Sequence, residues 1–212
     1  RAAMTGAGYA NEAYNFDRTR AYATQGDDRA YFYDSLGDDV YGGWSDRAIM
    51  YGSGYRHDAF NFARTYAFAT QGADRAYFYD SAGDDLLVLR PEYGRLSGAG
   101  FDNYAGRFDR VYAYATAGGN DRSIFYDSLG NDQFVAFPDV ARMSGAGFYN
   151  YARGFKRTYA YATGGGVDEA LLYATADGAQ CSSGIDFARI SGERFYNYAK
   201  GFESHCAFAA DG

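Results

Sequence analysis

The sequence predicts an all-β fold, a right-handed parallel β-solenoid of about nine coils, and three observations carry that expectation. A phrase of about 46–47 residues recurs four and a half times, the segments between its glycine turns alternate with period two, and no stretch shows a sustained helical period with caps. Tyr33-Asp34-Ser35 returns as Tyr79-Asp80-Ser81 and Tyr126-Asp127-Ser128. Ala21-Tyr22-Ala23-Thr24 returns as Ala67-Phe68-Ala69-Thr70, Ala113-Tyr114-Ala115-Thr116 and Ala160-Tyr161-Ala162-Thr163. The copies align without gaps apart from one residue added in a glycine turn, where Gly72-Ala73-Asp74 becomes Gly118-Gly119-Asn120-Asp121. Insertions confined to turns are what a stacked array tolerates.

Each copy divides into a first half, such as 119–140, and a second half, such as 141–164. Each half reads as one coil, two per repeat, because about 23–24 residues suffice for three short strands with tight corners. Stacked at ~4.8 Å, nine coils would make a rod roughly 43 Å long. Strands are expected at 29–33, 133–137 and 157–162, where β-formers alternate. The array starts and ends in a second half, and residues 1–212 leave no room for a linker, so one repeat-array domain is expected. A β-propeller is the alternative, since blades of about 40–50 residues fit the period; five second halves against four first halves do not close a ring. The chain opens at Arg1 in mid-repeat without an initiator Met, from which processing or excision from a longer protein is expected.

Aromatic residues (23 Tyr, 17 Phe and 1 Trp) far outnumber Ile, Leu and Val, so rings and alanine must build the interior. Gln133 and Gln180 flank the column of Phe134 and are expected to face water, which turns Phe134 inward. In the column of Tyr22, Phe68, Tyr114, Tyr161 and Phe208, rings alternate with alanine. Most rings are expected inside; an outward stripe of Tyr22, Tyr114 and Tyr161 that binds sugars is the alternative. Phe16, Phe62, Phe108, Phe155 and Phe202 hold another column, beside Arg18, Arg64, Arg110 and Arg157. These arginines and Asp28, Asp74, Asp121 and Asp168 are expected to form a self-satisfying charge ladder, against the alternative of a polyanion-binding stripe.

The net charge of -7 argues against a nucleic-acid partner. No apolar run approaches the ~20 residues of a membrane span, and no signal peptide opens the chain. Cys181 and Cys206 lie one expected coil apart, which would place their Cα atoms ~4.8 Å apart in neighbouring coils and predicts a terminal disulfide in an oxidising, extracellular setting. Two unrelated thiols are the bland alternative.

Gly26-Asp27-Asp28 and Gly37-Asp38-Asp39 recur as Gly72-Ala73-Asp74 with Gly83-Asp84-Asp85, and as Gly119-Asn120-Asp121 with Gly130-Asn131-Asp132. In these turns the chain resembles the RTX family of haemolysin-type calcium-binding repeats, which implies a β-roll holding calcium between coils. The resemblance covers about a quarter of the chain and departs in spacing and in the absence of paired glycines. The longer phrase also looks like tandem repeats of large secreted bacterial surface proteins, which implies an extracellular or cell-surface location. Calcium is the one cofactor implied, with Asp28, Asp39, Asp74, Asp85, Asp121 and Asp132 as its turn ligands. The competing reading is that these aspartates simply make turns by bonding backbone N–H groups. Ala174 and Ala179 replace Asp127 and Asp132 in the last repeat, so any ion site should fade there.

His57 and His205 do not recur, and no zinc, nucleophile-elbow, phosphate-loop or dinucleotide motif is present. The expected function is therefore not enzymatic. It is a structural or adhesive extracellular segment, ordered by calcium in one version, that joins other copies end to end or neighbouring repeats of a longer chain. A carbohydrate-binding module or a polysaccharide-degrading β-helix enzyme is the alternative.

Overall fold

The computed structural model describes residues 2–6, 8–14, 16–24, 26–174 and 179–209, and all of its regular structure is strand. Arg1 lies outside these residues. The chain enters through β1 (Ala2–Gly6), β2 (Tyr9–Ala13), β3 (Arg18–Tyr22) and β4 (Arg29–Tyr33). Next come β5 (Val40–Gly43), β6 (Arg47–Gly52), β7 (Tyr55–Phe60), β8 (Arg64–Phe68) and β9 (Arg75–Tyr79). The third group is β10 (Leu86–Leu89), β11 (Tyr93–Gly98), β12 (Phe101–Gly106), β13 (Arg110–Tyr114) and β14 (Arg122–Tyr126). It is followed by β15 (Gln133–Ala136), β16 (Val140–Gly145), β17 (Phe148–Arg153), β18 (Arg157–Tyr161) and β19 (Glu169–Ala174). The chain closes with β20 (Gln180–Ser183), β21 (Phe187–Ser191), β22 (Tyr196–Lys200) and β23 (Ser204–Ala209).

These strands build two sheets, of 12 and 11 strands. From the N-terminal end, sheet A runs β2-β1-β4-β8-β12-β11-β10-β14-β18-β22-β21-β20, and sheet B runs β3-β7-β6-β5-β9-β13-β17-β16-β15-β19-β23. The result is the open β-solenoid that the repeats predict; no ring of blades forms. With 12 strands at ~4.8 Å the longer sheet spans roughly 53 Å.

The solenoid has about five turns rather than nine. A half-repeat is not a coil, because each repeat folds three strands back and forth within one sheet before crossing. The antiparallel meander β10-β11-β12 lies in sheet A, β15-β16-β17 in sheet B and β20-β21-β22 again in sheet A. Successive repeats are thus related by a half-turn about the long axis. Between meanders, single strands stack in parallel, as in β9-β13 and β14-β18. Two repeats advance each sheet by five strands, so one repeat adds roughly 12 Å of length.

Side chains alternate across each strand, and that period decides the core. In β9, Ala76 and Phe78 point inward and are fully buried, whereas Arg75, Tyr77 and Tyr79 point out. In β13, Val111 and Ala113 go in and Tyr112 and Tyr114 go out. The alanine columns therefore line the interior, and most tyrosines face outward, contrary to the expectation of buried rings. Phe134 is inward and Gln133 outward, as the flanking glutamine predicts. Bulk comes from Phe32, Tyr41, Met50, Phe78, Phe125 and Phe134, all at most 2% exposed. Phe62, Phe108, Phe155 and Phe202 plug the crossings between sheets at 3–5% exposure, and the Phe108 and Phe202 rings lie 6.2 Å from those of Tyr41 and Phe134. Buried asparagines tie successive repeats together: Asn103, Asn150 and Asn197 donate from Nδ2 to the carbonyls of Trp44, Arg90 and Phe137 at 2.8–3.0 Å.

The terminal disulfide does not form: Cys181 and Cys206 are free and exposed. Cys181 sits on β20 of sheet A opposite the inward Ile190, so it takes a core-facing position. Cys206 lies on β23 of sheet B, between the more buried His205 and Ala207, and faces outward. A separation of 25 residues spans a meander and a crossing here, not one coil, so the two thiols point away from each other.

Candidate functional site

The corner after each Tyr-Asp-Ser phrase is a knot of side-chain to backbone hydrogen bonds. Ser35 N–H donates to Asp39 Oδ2 at 2.6 Å and Ser35 Oγ donates to the same carboxylate at 2.9 Å, while Gly37 N–H donates back to Ser35 Oγ at 3.2 Å. The same bonds recur at Ser81–Asp85 and Ser128–Asp132. A glycine faces each knot. A Cβ built on Gly52, Gly98 or Gly145 would lie 1.7 Å from Oδ1 of Asp39, Asp85 or Asp132, so these strand ends require the absence of a side chain.

The other two members of each cluster stitch it to the next repeat. Asp34 accepts the N–H of Thr70 at 2.5 Å and of Gln71 at 3.2 Å; Asp127 accepts those of Thr163 and Gly164 at 2.8 Å. Asp74 Oδ1 accepts Asp39 N–H at 2.8 Å, and Asp121 and Asp168 do the same for Asp85 and Asp132. Three triads result, Asp34/Asp39/Asp74, Asp80/Asp85/Asp121 and Asp127/Asp132/Asp168, each offering carboxylate oxygens within 4.8 Å of one another. Among the described residues no lysine or arginine forms an ion pair with them. Burial, with the neighbouring carboxylates adding to it, pushes Asp74 and Asp121 up to about 6 and raises Asp168 in the same direction.

Five of the six aspartates expected as calcium ligands fall in these triads, but in a different partnership. Asp39 meets Asp74 of the following repeat, not Asp28 of its own, and Asp28 belongs to no triad among the described residues. Asp34, Asp80 and Asp127 were not expected to be members, although the recurrence of Tyr-Asp-Ser was the signal that could have found them. Three carboxylates supply only part of the six to eight oxygens calcium takes, so water or backbone carbonyls would have to complete a shell.

The outward tyrosines form ladders along the rod. Tyr31–Tyr66 and Tyr77–Tyr112 stack at 5.1 Å with rings 13–14° apart, and Tyr79–Tyr114 and Tyr126–Tyr161 stack at 5.7 Å. Ring faces thus cover one another and present edges to solvent. The three residues of the alternative stripe are divided between the sheets, Tyr22 and Tyr114 on sheet B and Tyr161 on sheet A, a consequence of the half-turn between repeats. Tyr22 stacks on Phe60 at 4.9 Å. The charge ladder is likewise replaced: Arg64 stands beside Arg29, Arg110 beside Arg75 and Arg157 beside Arg122, because Asp74, Asp121 and Asp168 turn into the triads. Asp27 serves the first pair, at 3.9 Å from Arg29 and 3.1 Å from Arg64. His57 is buried and shares a 2.8 Å hydrogen bond with Thr19, and His205 Nε2 lies 3.0 Å from the Gly184 carbonyl.

No family model, curated protein or solved structure matches the chain.

Proposed function

We propose that this chain is a structural element, a stiff spacer of an extracellular or cell-surface assembly. The observation that supports it is continuity: two unbroken sheets run the length of the described residues, and the two middle repeat boundaries are each fastened by the same triad, asparagine tie and ring ladder. Ladder hydrogen bonds of this kind resist shear because many must break together. The chemistry present is repeated, whereas catalysis needs one place where convergent groups break the repeat. The mutual stacking of the rings counts against a sugar-binding stripe, since sugar stacking uses ring faces.

Small-angle scattering on an in-register deletion tests the spacer. Removing residues 87–133 should shorten the long dimension by roughly 12 Å while leaving a cooperative melt. A compact particle of unchanged length, or a chain that no longer folds while other single-repeat deletions also fail, would remove the reading.

A calcium-ordered version is favoured by the same triads, because clustered carboxylates, at least two of each three buried, with no cationic side chain paired to them among the described residues, leave negative charge to be met by a proton or a cation. Millimolar calcium should then raise the melting temperature relative to chelator at pH 7, and less so at pH 5, where protons compete. An identical melt in calcium and chelator would discard the ion and leave the spacer intact.

A further inference from the structure

The two ends of the rod expose positions that are buried everywhere else. Phe16 is 63% exposed, against 3–5% for Phe62, Phe108, Phe155 and Phe202 in its column. Asn11 is exposed, whereas Asn103, Asn150 and Asn197 are buried. At the other end Cys181 is exposed, whereas Tyr41, Leu87 and Phe134 are completely buried. Among the described residues, each end also carries one edge strand per sheet, β2 and β3 at the start, β20 and β23 at the finish. Unpaired edges of this kind are templates for another strand.

The interior dictates what fits them. The last strand of a meander always lies parallel to a single strand of the type of β23: β12 pairs with β8, β17 with β13 and β22 with β18. The edge strand β2 is a last meander strand, and β23 has that side open. We propose that the chain stacks head to tail with a second copy, related by the same half-turn that relates its repeats, so that β23 of one copy pairs in parallel with β2 of the next and β20 pairs with β3.

The internal register fixes the junction. Tyr66 lies opposite Tyr104, Tyr112 opposite Tyr151 and Tyr159 opposite Tyr198. By the same alignment Cys206 falls opposite Glu12 of the second copy, both on the outer face. Relative to the interior order, one sheet omits a counterpart of β19 between β20 and β3, and the other lacks a first meander strand between β1 and β4, a gap the chain already closes by pairing those two strands, so both sheets stay in step. Phe16 of the second copy then enters the end of the core over Cys181, the smallest side chain of its column, as Phe108 and Phe202 approach Tyr41 and Phe134. The proposal uses the open rod described above, but the spacer could act without it.

An engineered cross-link tests the register. In parallel neighbouring strands the Cα atoms of 206 and 12 would be ~4.8 Å apart, inside the disulfide window. The variant E12C in a C181S background should give a ladder of dimers, trimers and higher species on mild oxidation, and adding C206S should abolish it. Sedimentation of the unmodified chain should show mass rising with concentration, and F16E should weaken that association at least tenfold without lowering the melting temperature, since Phe16 is exposed in a single copy. A monomeric mass at millimolar protein, or only a tail-to-tail dimer joined through Cys206 of both copies, overturns the proposal. Scattering from the monomeric fraction reports separately on the rod, so loss of stacking and loss of the spacer reading are distinguishable.

Discussion

Phe108 and Phe16 occupy the same place in the repeat, yet one is 3% and the other 63% exposed. The sequence around them is nearly the same; the neighbours differ. In a stacked array burial is conferred by the adjacent repeats, so a column position has no fixed energetic value of its own. The same contrast separates Phe134, completely buried, from the exposed Cys181.

The sharpest way to break this comparison is to truncate equivalent residues in the middle and at the end. Phe134→Ala should cost about 3–5 kcal/mol in urea unfolding, and Phe108→Ala a similar amount. Phe16→Ala should fall within about 0.5 kcal/mol of wild type when measured on the monomer. Equal losses at Phe16 and Phe108 would mean that burial at the ends is set by something other than the neighbouring repeat.

A smaller effect is expected at the corner glycines. Gly145→Ala pushes a methyl into Asp132 Oδ1 and should destabilise by about 1–3 kcal/mol, the usual range for overpacking. Gly37→Ala meets only Ser35 Oγ, at 3.8 Å, and should be far milder. Thermal melts of the two variants would show whether the knots, rather than turns in general, hold the repeats together.

The triads make stability depend on pH with a definite sign. Asp74 and Asp121 have folded values raised to about 6 from an unfolded value of ~3.9, so the folded state holds more protons between those limits. Their contribution is fully present below pH ~4 and is lost as pH rises through about 6. In chelator, Asp121→Asn should flatten this decline and raise the melting temperature at pH 7, because the amide oxygen can still accept Asp85 N–H. If the melt of the variant still falls over pH 4–6 as steeply as wild type, the triads are not the groups that titrate.

The smallest effect concerns the residue before each plugging phenylalanine. Asn61 and Arg107 hold φ of 60° and 64°, where their counterparts in later repeats are Gly154 and Gly201 at 84° and 86°. Asn61→Gly and Arg107→Gly should each be neutral or stabilising by up to about 1 kcal/mol, whereas Gly201→Ala should destabilise, since its Cβ would lie 2.2 Å from the Ala162 carbonyl.

Much of this architecture is legible in the sequence, and the rest fails for identifiable reasons. Recurrence and period-two alternation point to stacked strands, and Gln133 correctly orients Phe134. In Tyr112-Ala113-Tyr114 the alternation says that tyrosine and alanine face opposite ways but not which faces in; the structure turns alanine inward, with Ala76, Ala105 and Ala113 completely buried. The triads needed a long-range fact, that Asp39 meets the aspartate of the following repeat. The cysteine pairing failed for the same reason: whether 25 residues make one coil depends on a meander that reads in sequence like any other pair of strands.

The half-turn between repeats has a bearing on how such a rod can grow or shrink. Adding or losing a single repeat swings everything beyond it to the opposite side of the axis, while a change by two leaves its azimuth untouched. Anything fastened to one flank of a longer array would thus tolerate length variation in even steps and be thrown out of alignment by odd ones.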